Sequence, residues 1–109
     1  VTFSPDGQIL AADDHTSVWL WQVNVNRGTI WKILIQPADP RGLAFSHDGE
    51  LLAVGLADGT IRLWDMATGK EMNALRGHTE FVTSLAFSYD GRILASGSND
   101  GTVRLWGVR

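Results

Sequence analysis

Three side chains in the last third of the sequence are of the types that nucleophilic catalysis uses. Ser96, His78 and Asp100 could supply a hydroxyl nucleophile, a general base and a carboxylate that orients the base. Ser96, however, does not stand in the Gly-x-Ser-x-Gly pattern that places a nucleophile on a strained, exposed turn. A hydrolase is therefore one hypothesis for these residues, and the sequence around the serine does not favour it.

The same residues can instead form a chain of hydrogen bonds that begins at a tryptophan. The indole N–H of Trp106 is only a donor, so when buried it needs an acceptor, and the Ser96 hydroxyl can serve. Ser96 can then donate to one ring nitrogen of His78, whose other ring nitrogen can donate to Asp100. Such a chain satisfies every buried polar group in it and connects the segments that carry them. We favour this structural interpretation.

Other chemistries lack the residues that they need. The three histidines, His15, His47 and His78, match no metal-binding spacing, and the sequence has no cysteine and no Gly-x-x-x-x-Gly-Lys phosphate loop. We therefore expect no metal and no cofactor. With 9 Lys and Arg against 12 Asp and Glu, the chain also lacks the basic field that attracts nucleic acid or an anionic membrane. Neither is expected as a partner.

An internal repeat supplies the elements that position these residues. Two blocks of sequence recur 42 residues later, and a third, less regular copy opens the chain with Phe3-Ser-Pro-Asp-Gly7. That copy is one residue shorter, in the turn at Asp13-Asp14-His15. A period of this length is typical of folds built from repeated supersecondary units. The recurring blocks are Leu-Ala-Phe-Ser-x-Asp-Gly at 43–49 and 85–91, and Gly-Thr-Ile/Val-Arg-Leu-Trp at 59–64 and 101–106.

Each copy has the pattern of short strands separated by turns that contain glycine. Consecutive apolar residues, such as those from Leu51 to Val54, indicate strands that are covered on both faces. Radially stacked blades of four antiparallel strands meet this need, because each blade lies between two neighbours. We predict strands at 81–87, 92–97 and 102–106 in the third copy, and fourth strands at 30–35 and 71–75.

We therefore predict an all-β fold of about two and three-quarter propeller blades. Blade 1 is expected at about 1–36, blade 2 at about 37–77, and blade 3 at about 78–109, the last without its outer strand. Such a segment forms an incomplete ring.

The repeat carries a resemblance to a known family. Its period, the Leu-Ala-Phe-Ser-x-Asp-Gly block, the Trp64-Asp65 pair and the Gly77-His78 pair resemble the WD-repeat β-propeller family over essentially the whole chain. The resemblance implies that the polar residues described above, together with Trp106, form the structural tetrad of that family.

Only the third repeat carries the complete tetrad: His78, Ser96, Asp100 and Trp106. The second repeat keeps Asp58 and Trp64, and it has Gln36 and Val54 at the positions of the histidine and the serine.

The resemblance also implies a non-catalytic binding module for protein or peptide partners. In similar propellers, partners contact the rim formed by the loops before each first strand and the turns between the second and third strands. The candidate contact residues there are Asp39, Arg41, Glu80 and Asn99. Two further tryptophans, Trp19 and Trp31, could cover a blade edge or form an aromatic patch that faces a partner. A cytoplasmic location is expected.

An alternative role follows from the incomplete ring. Propellers of this family commonly close with seven blades, so about three blades cannot close alone. Copies of this segment could self-associate into a closed ring of six or nine blades, or the segment could complete a larger propeller. We therefore expect a homo-oligomer or a part of a larger propeller. A propeller hydrolase or lectin is less favoured, because the sequence offers no acid/base pair or metal set for either activity.

Overall fold

Three antiparallel sheets make up the part of the protein that the structure describes. The structure is a computed structural model that describes residues 1–14, 17–24, 27–35 and 39–108, and among these the side chains outside 22–35. Within the described residues, no helix is long and apolar enough to cross a membrane. The prediction of an all-β fold made of antiparallel propeller-type blades is confirmed, and the sheets do not close into a ring.

The strands of each sheet are hydrogen-bonded in chain order. Sheet 1 contains β1 (Thr2–Phe3), β2 (Ile9–Asp13), β3 (Ser17–Asn24) and β4 (Arg27–Ile35). Sheet 2 contains β5 (Pro40–Phe45), β6 (Leu51–Leu56), β7 (Ile61–Asp65) and β8 (Lys70–Leu75). Sheet 3 contains β9 (Val82–Phe87), β10 (Ile93–Ser98) and β11 (Val103–Gly107). The bounds lie within one residue of the predicted strands, except that β4 begins three residues earlier than predicted.

The sheets stack face to face and bury apolar side chains at two interfaces. Alternate residues of a strand point to opposite faces, so β6 contributes to both interfaces and is buried along its whole length. This explains its uninterrupted apolar sequence. Between sheets 1 and 2 lie Ala11, Val18, Leu20, Leu52, Val54, Leu56 and Met66. Between sheets 2 and 3 lie Ala53, Ile61, Leu63, Val82 and Leu94.

One row of side chains has the same composition in all three sheets. A phenylalanine, a leucine and a tryptophan are cross-strand partners on the first three strands, and we call this the aromatic row. In sheet 1 the row keeps its register although the chain between β2 and β3 is one residue shorter, so the turn absorbs the missing residue. The rows are Phe3–Leu10–Trp21, Phe45–Leu52–Trp64 and Phe87–Leu94–Trp106.

The turn between the first two strands of each sheet is held by one serine and one aspartate. In sheet 2, Ser46 Oγ donates to Asp48 Oδ1 at 2.6 Å and accepts the N–H of Leu51 at 3.0 Å. The same carboxylate accepts the N–H of Glu50 at 3.0 Å. Gly49 follows with a φ of 74°, a value that favours glycine. The Ser-x-Asp-Gly part of the repeat is thus a self-contained turn that aligns the two strands.

Corresponding bonds form in the other two sheets, with Ser4 and Asp6 in sheet 1 and Ser88 and Asp90 in sheet 3. The serine hydroxyl is the main reason that the pKa of Asp6 and that of Asp90 lie below the ordinary value of 3.8.

Candidate functional site

The predicted polar residues of the third repeat come together in sheet 3. Trp106 Nε1–H donates to Ser96 Oγ at 2.8 Å, and Ser96 Oγ–H donates to His78 Nε2 at 2.7 Å. His78 Nδ1–H donates to Asp100 Oδ2 at 2.9 Å. The chain links β11, β10, the loop that precedes β9, and the turn between β10 and β11. It therefore fastens these four segments of the sheet to one another.

The Asp100 carboxylate collects further donors at the end of this chain. Thr102 donates to it from its hydroxyl at 2.5 Å and from its backbone N–H at 2.8 Å, and the N–H of Thr79 donates at 3.1 Å. These hydrogen bonds hold the pKa of Asp100 well below 3.8. The bond from the Thr102 hydroxyl has the largest effect, and the bond from His78 lowers the pKa further. The carboxylate is therefore ionised at neutral pH and anchors the network.

The distances between serine, histidine and aspartate match those of a hydrolase triad, but their surroundings do not. Ser96 is only 1% exposed, and the side chain of His78 is fully buried. One acceptor site of the serine hydroxyl is occupied by the Trp106 indole. A nucleophile needs space for a substrate beside its oxygen, and this hydroxyl is instead enclosed between two protein partners.

Sheet 2 lacks this network, as the sequence predicts. Val54, at the position of the serine, is fully buried, and Gln36 lies outside the described residues. Trp64 Nε1 is consequently buried with no hydrogen-bond partner among the described residues. The same holds for Arg62 Nε, although Arg62 Nη1 donates to Glu71 at 2.9 Å. Asp58 still shapes its turn, because it accepts the N–H of Thr60 at 2.9 Å and the Thr60 hydroxyl at 2.6 Å.

Sheet 1 uses a different tryptophan contact. Trp19 Nε1–H donates to Asp14 Oδ2 at 2.7 Å, and Asp14 Oδ1 accepts the N–H of Ser17 at 2.7 Å. The rings of Trp19 and Trp21 stack with centroids 6.3 Å apart. Trp19 therefore helps to close the turn between β2 and β3. The side chain of Trp31 lies outside the described residues.

Loops and turns from sheets 2 and 3 form one continuous surface, which we call the loop face (residues 39–41, 57–60, 78–81 and 98–102). The N–H of Ala57 donates to Asp39 O at 2.7 Å, and the N–H of Asn99 donates to Phe81 O at 3.0 Å. The two sheets interlock where Gly59, with a φ of 91°, lies against the backbone of His78. The scaffold thus fixes the relative positions of these loops.

Arg41 is the central side chain of the loop face. Its guanidinium lies over the Phe81 ring, 5.0 Å from the centroid, and contacts the Asp39 carboxylate at 3.1 Å. Arg41, Phe81, Thr83 and Asn99 line a pocket of about 150 Å³ between sheets 2 and 3. On the other side of Arg41, a cleft of about 260 Å³ is lined by Asp13, Asp14, Asp39 and Pro40 as well.

The structure brings together three of the four predicted contact residues. Arg41 and Asn99 line this pocket, and Asp39 contacts Arg41 and lines the neighbouring cleft. Glu80 lines neither of them. The backbone carbonyl of Glu80 accepts the Ser98 hydroxyl at 3.1 Å, which ties the loop to the turn.

Sequence reasoning did not identify Phe81 and Thr83 as pocket residues. Phe81 directly follows Gly-His-Thr-Glu in the loop before β9. An aromatic residue at the end of a rim loop could have indicated a role in this pocket.

Other kinds of site find no support in the described part of the chain. No cluster of three or more His, Cys, Asp or Glu side chains that could hold a metal ion occurs there. His47 stacks against Tyr89 with ring centroids 4.9 Å apart, on the turns at the opposite end of the sheets. His15 lies outside the described residues.

Repeated antiparallel blades that stack through aromatic rows, with a buried Trp–Ser–His–Asp network inside the third, define the chain as a segment of a bladed β-propeller. Two family models match it. The model for the WD40 domain of anaphase-promoting complex subunit 4 matches residues 1–80, and the model for the WD domain, G-beta repeat, matches residues 69–107. The chain belongs to the WD-repeat family.

Curated relatives share this repeat over parts of their length. The COMPASS component SWD3 of Saccharomyces cerevisiae is 34% identical over 84 residues, which is 76% of this chain and 26% of that protein. The CCR4-associated factor 4 of a second S. cerevisiae strain is 37% identical over 71 residues, or 65% of this chain and 10% of that protein. The probable serine/threonine-protein kinase PkwA of Thermomonospora curvata is 47% identical over 51 residues, which is 47% of this chain and 7% of that protein. The chain thus spans about a quarter or less of each relative.

Proposed function

We propose that this chain is a non-catalytic binding module that presents its loop face to a protein or peptide partner. The observation that carries the proposal is the pocket between sheets 2 and 3. There, Arg41 is oriented by Phe81 and Asp39 and stands opposite Asn99. A guanidinium held in this way loses little side-chain freedom on binding, and arginines and aromatic residues are enriched among the side chains that dominate interface affinity.

The chemistry of the face suits a peptide segment better than a small metabolite. The pocket and the cleft are shallow and lie side by side, so an extended chain can occupy both. The cleft offers the exposed Asp13 carboxylate to a basic side chain or a backbone N–H, and Arg41 with Asn99 offers donors to a backbone carbonyl or a carboxylate. The names of two relatives, a COMPASS component and a CCR4-associated factor, also indicate proteins that work in assemblies.

The polar network supports the non-catalytic part of the proposal. Its serine and histidine are enclosed, and the Trp106 donor binds the hydroxyl that a hydrolase would need for attack. The kinase name among the relatives belongs to a protein of which this chain matches only 7%, so that name carries no activity to this segment.

A selection from a displayed library of random peptides tests the proposal. Peptides that bind the wild-type chain are measured against the variants Arg41→Ala and Asn99→Ala, and against Arg92→Ala as a matched control. Arg92 is an exposed arginine beside the turn at the opposite end of sheet 3. We expect Arg41→Ala to weaken binding by about tenfold or more and Arg92→Ala to leave it within about twofold.

Two results would contradict the proposal. One is that no peptide is selected above background. The other is that the selected peptides bind the Arg41→Ala and Asn99→Ala variants as tightly as the wild type, or lose affinity with Arg92→Ala instead.

A further inference from the structure

The turns between the first and second strands form a second continuous surface, at the opposite end of the sheets from the loop face. Adjacent turns lie against one another in both places. A Cβ on Gly49 would lie 3.7 Å from Pro5, and the rings of His47 and Tyr89 have centroids 4.9 Å apart. We call this surface the turn face, which comprises residues 4–8, 46–50 and 88–92.

The turn face is exposed whether or not further sheets stand beside these three. His47 has a neighbouring turn on each side, at Pro5 and at Tyr89, and it is nevertheless exposed. Because the sheets stack side by side, the turns at their ends also lie side by side. Another repeat would therefore lengthen the turn face and leave its outer surface open.

The turn itself does not require the rings of His47 and Tyr89. The serine and aspartate of each turn make its side-chain hydrogen bonds, and both rings stand between them in sequence without taking part. Pro5, at the same position of the first turn, has a structural reason. Its fixed φ suits the second residue of the β-turn that the bond from Gly7 N–H to Ser4 O closes at 2.9 Å. His47 and Tyr89 instead contact each other, and we call them the ring pair.

The surroundings of the ring pair are acidic. The turn face carries four carboxylates and one cationic side chain, Arg92. The hydrogen bonds of the turns lower the pKa of Asp6 and of Asp90, so both carboxylates stay ionised in mildly acidic solution. Charge complementarity therefore favours a cationic partner on this surface, whereas an anionic one would be repelled.

The chain shows on its other end which cation suits a ring beside a carboxylate. On the loop face, the guanidinium of Arg41 lies 5.0 Å from the centroid of Phe81 and 3.1 Å from the carboxylate of Asp39. Among the described residues, Arg41 is the one cation that lies over an aromatic ring, so the ring pair has no such partner within that part of the chain. An arginine can stack on a ring and pair with a carboxylate at once, whereas lysine is a compact point charge.

We propose that the turn face binds an arginine of a protein partner, with its guanidinium against the ring pair and the neighbouring carboxylates as its counter-charge. The partner segment is basic and extended enough to lie along the turns. This inference does not depend on the loop face, because it concerns the opposite end of the sheets.

A peptide titration followed by NMR tests the proposal. The probe is the capped peptide Gly-Ser-Arg-Ser-Gly, and a second probe has lysine in place of arginine. The backbone amide signals of Gly49 and Gly91 report on the turn face, and those of Gly59 and Gly101 report on the loop face. Both probes are also titrated into the variants Tyr89→Ala and Tyr89→Phe, of which the second keeps the ring and is the matched control.

We expect the arginine probe to shift the signals of Gly49 and Gly91 and to leave those of Gly59 and Gly101 in place. Tyr89→Ala should weaken binding of this probe by about two- to fivefold, because half of the ring pair is lost, whereas Tyr89→Phe should stay within about twofold. The lysine probe should bind at least about twofold more weakly than the arginine probe. His47→Ala should weaken binding as Tyr89→Ala does.

Several results would overturn the proposal. One is an arginine probe that moves no signal of the turn face, or that moves only the signals of Gly59 and Gly101. Another is equal binding of the two probes together with no effect of Tyr89→Ala, which would indicate charge attraction without a ring contact. Equal losses in Tyr89→Ala and Tyr89→Phe would also overturn it, because the hydroxyl and not the ring would then be responsible.

Discussion

Both ring nitrogens of His78 are hydrogen-bonded while its side chain is fully buried, so this residue has no freedom to reach a substrate. Its two ring nitrogens connect Ser96 to Asp100. The role of these three residues at the residue scale is to hold the loop before β9 against the turn between β10 and β11.

Replacement of His78 by alanine tests this role. We expect His78→Ala to lower the free energy of unfolding by about 1–3 kcal/mol, because Ser96 and Asp100 lose a buried partner. Urea unfolding measures the change. The control is His47→Ala, which removes an exposed histidine and should change stability by less than about 0.5 kcal/mol. Equal stability of the two variants would contradict a structural role for His78.

The Asp100 carboxylate gives the same network a dependence on pH. Its pKa is lower in the folded chain than the ordinary value of 3.8, so the folded state takes up this proton less readily than the unfolded state. The contribution of Asp100 to stability is therefore fully present above about pH 5 and is lost as the pH falls below about 4.

We expect the stability difference between the wild type and Asp100→Asn to be constant from about pH 7 to about pH 5 and to shrink as the pH falls toward about 2.5. Unfolding by urea at several pH values measures it. A difference that stays the same down to the lowest pH would show that the charge of Asp100 does not stabilise the folded chain.

At the scale of elements, the turn between the second and third strands can be compared in sheets 2 and 3. In both sheets it reverses the chain, but only in sheet 2 does it also contact the next sheet. Gly59 and Gly101 occupy the same position in sheets 2 and 3, with φ values of 91° and 86°. A Cβ on Gly101 would meet no atom within 4 Å, whereas a Cβ on Gly59 would overlap the carbonyl oxygen of His78. The turn at Gly59 therefore joins sheet 2 to sheet 3, whereas the turn at Gly101 contacts no other sheet of the described chain.

This comparison separates backbone strain from the contact between sheets. Gly101→Ala should cost about 1–2 kcal/mol, the penalty for an L-residue in a left-handed conformation. Gly59→Ala should cost about 1–3 kcal/mol more, because sheet 3 must shift to admit the methyl group. Thermal and urea unfolding of both variants measure the difference. Equal costs would mean that the turn of sheet 2 does not interlock with sheet 3.

Strand positions could be predicted from the sequence because the information for them is local. Apolar runs bounded by glycine turns fix each strand, and the strands of the third repeat were placed to within one residue. The hydrogen bonds of Trp106, Ser96 and His78 could also be predicted, because a buried indole N–H needs an acceptor and the resemblance to the family indicates Ser96 for that role. The structure adds that Trp64, whose sheet has Val54 in place of the serine, has no acceptor among the described residues.

Contacts between distant loops could not be predicted from the sequence. Arg41 lies over Phe81, which is in another blade, and only the stacking of sheets 2 and 3 brings the two together. The bonds within the Ser-x-Asp-Gly turns, such as that from Ser46 to Asp48, depend on side-chain geometry that spacing alone does not specify. Glu80 could be placed in a rim loop, yet which residues of that loop line the pocket is a property of the folded loop, and Glu80 is not one of them.

At the scale of the whole molecule, each sheet is stabilised by the sheets that are stacked on it. Only the middle sheet is covered on both faces by its neighbours in the chain, and its central strand β6 is buried throughout. The corresponding strand of sheet 3, β10, is likewise paired with a strand on each side, but only one of its faces is covered, and Ile93 on the other face is 44% exposed. Stacking, rather than hydrogen bonding within a sheet, should therefore set the stability of each blade.

Amide hydrogen exchange of β6 and β10 tests this claim most directly. The measurement is made on the wild-type chain, at a concentration where light scattering gives the single-chain mass of 11.9 kDa. We predict that the amides of β6 exchange more slowly than the matched amides of β10, because opening of β6 requires separation of two interfaces and opening of β10 only one. Equal protection of the two strands in single chains, or slower exchange in β10, would contradict the account.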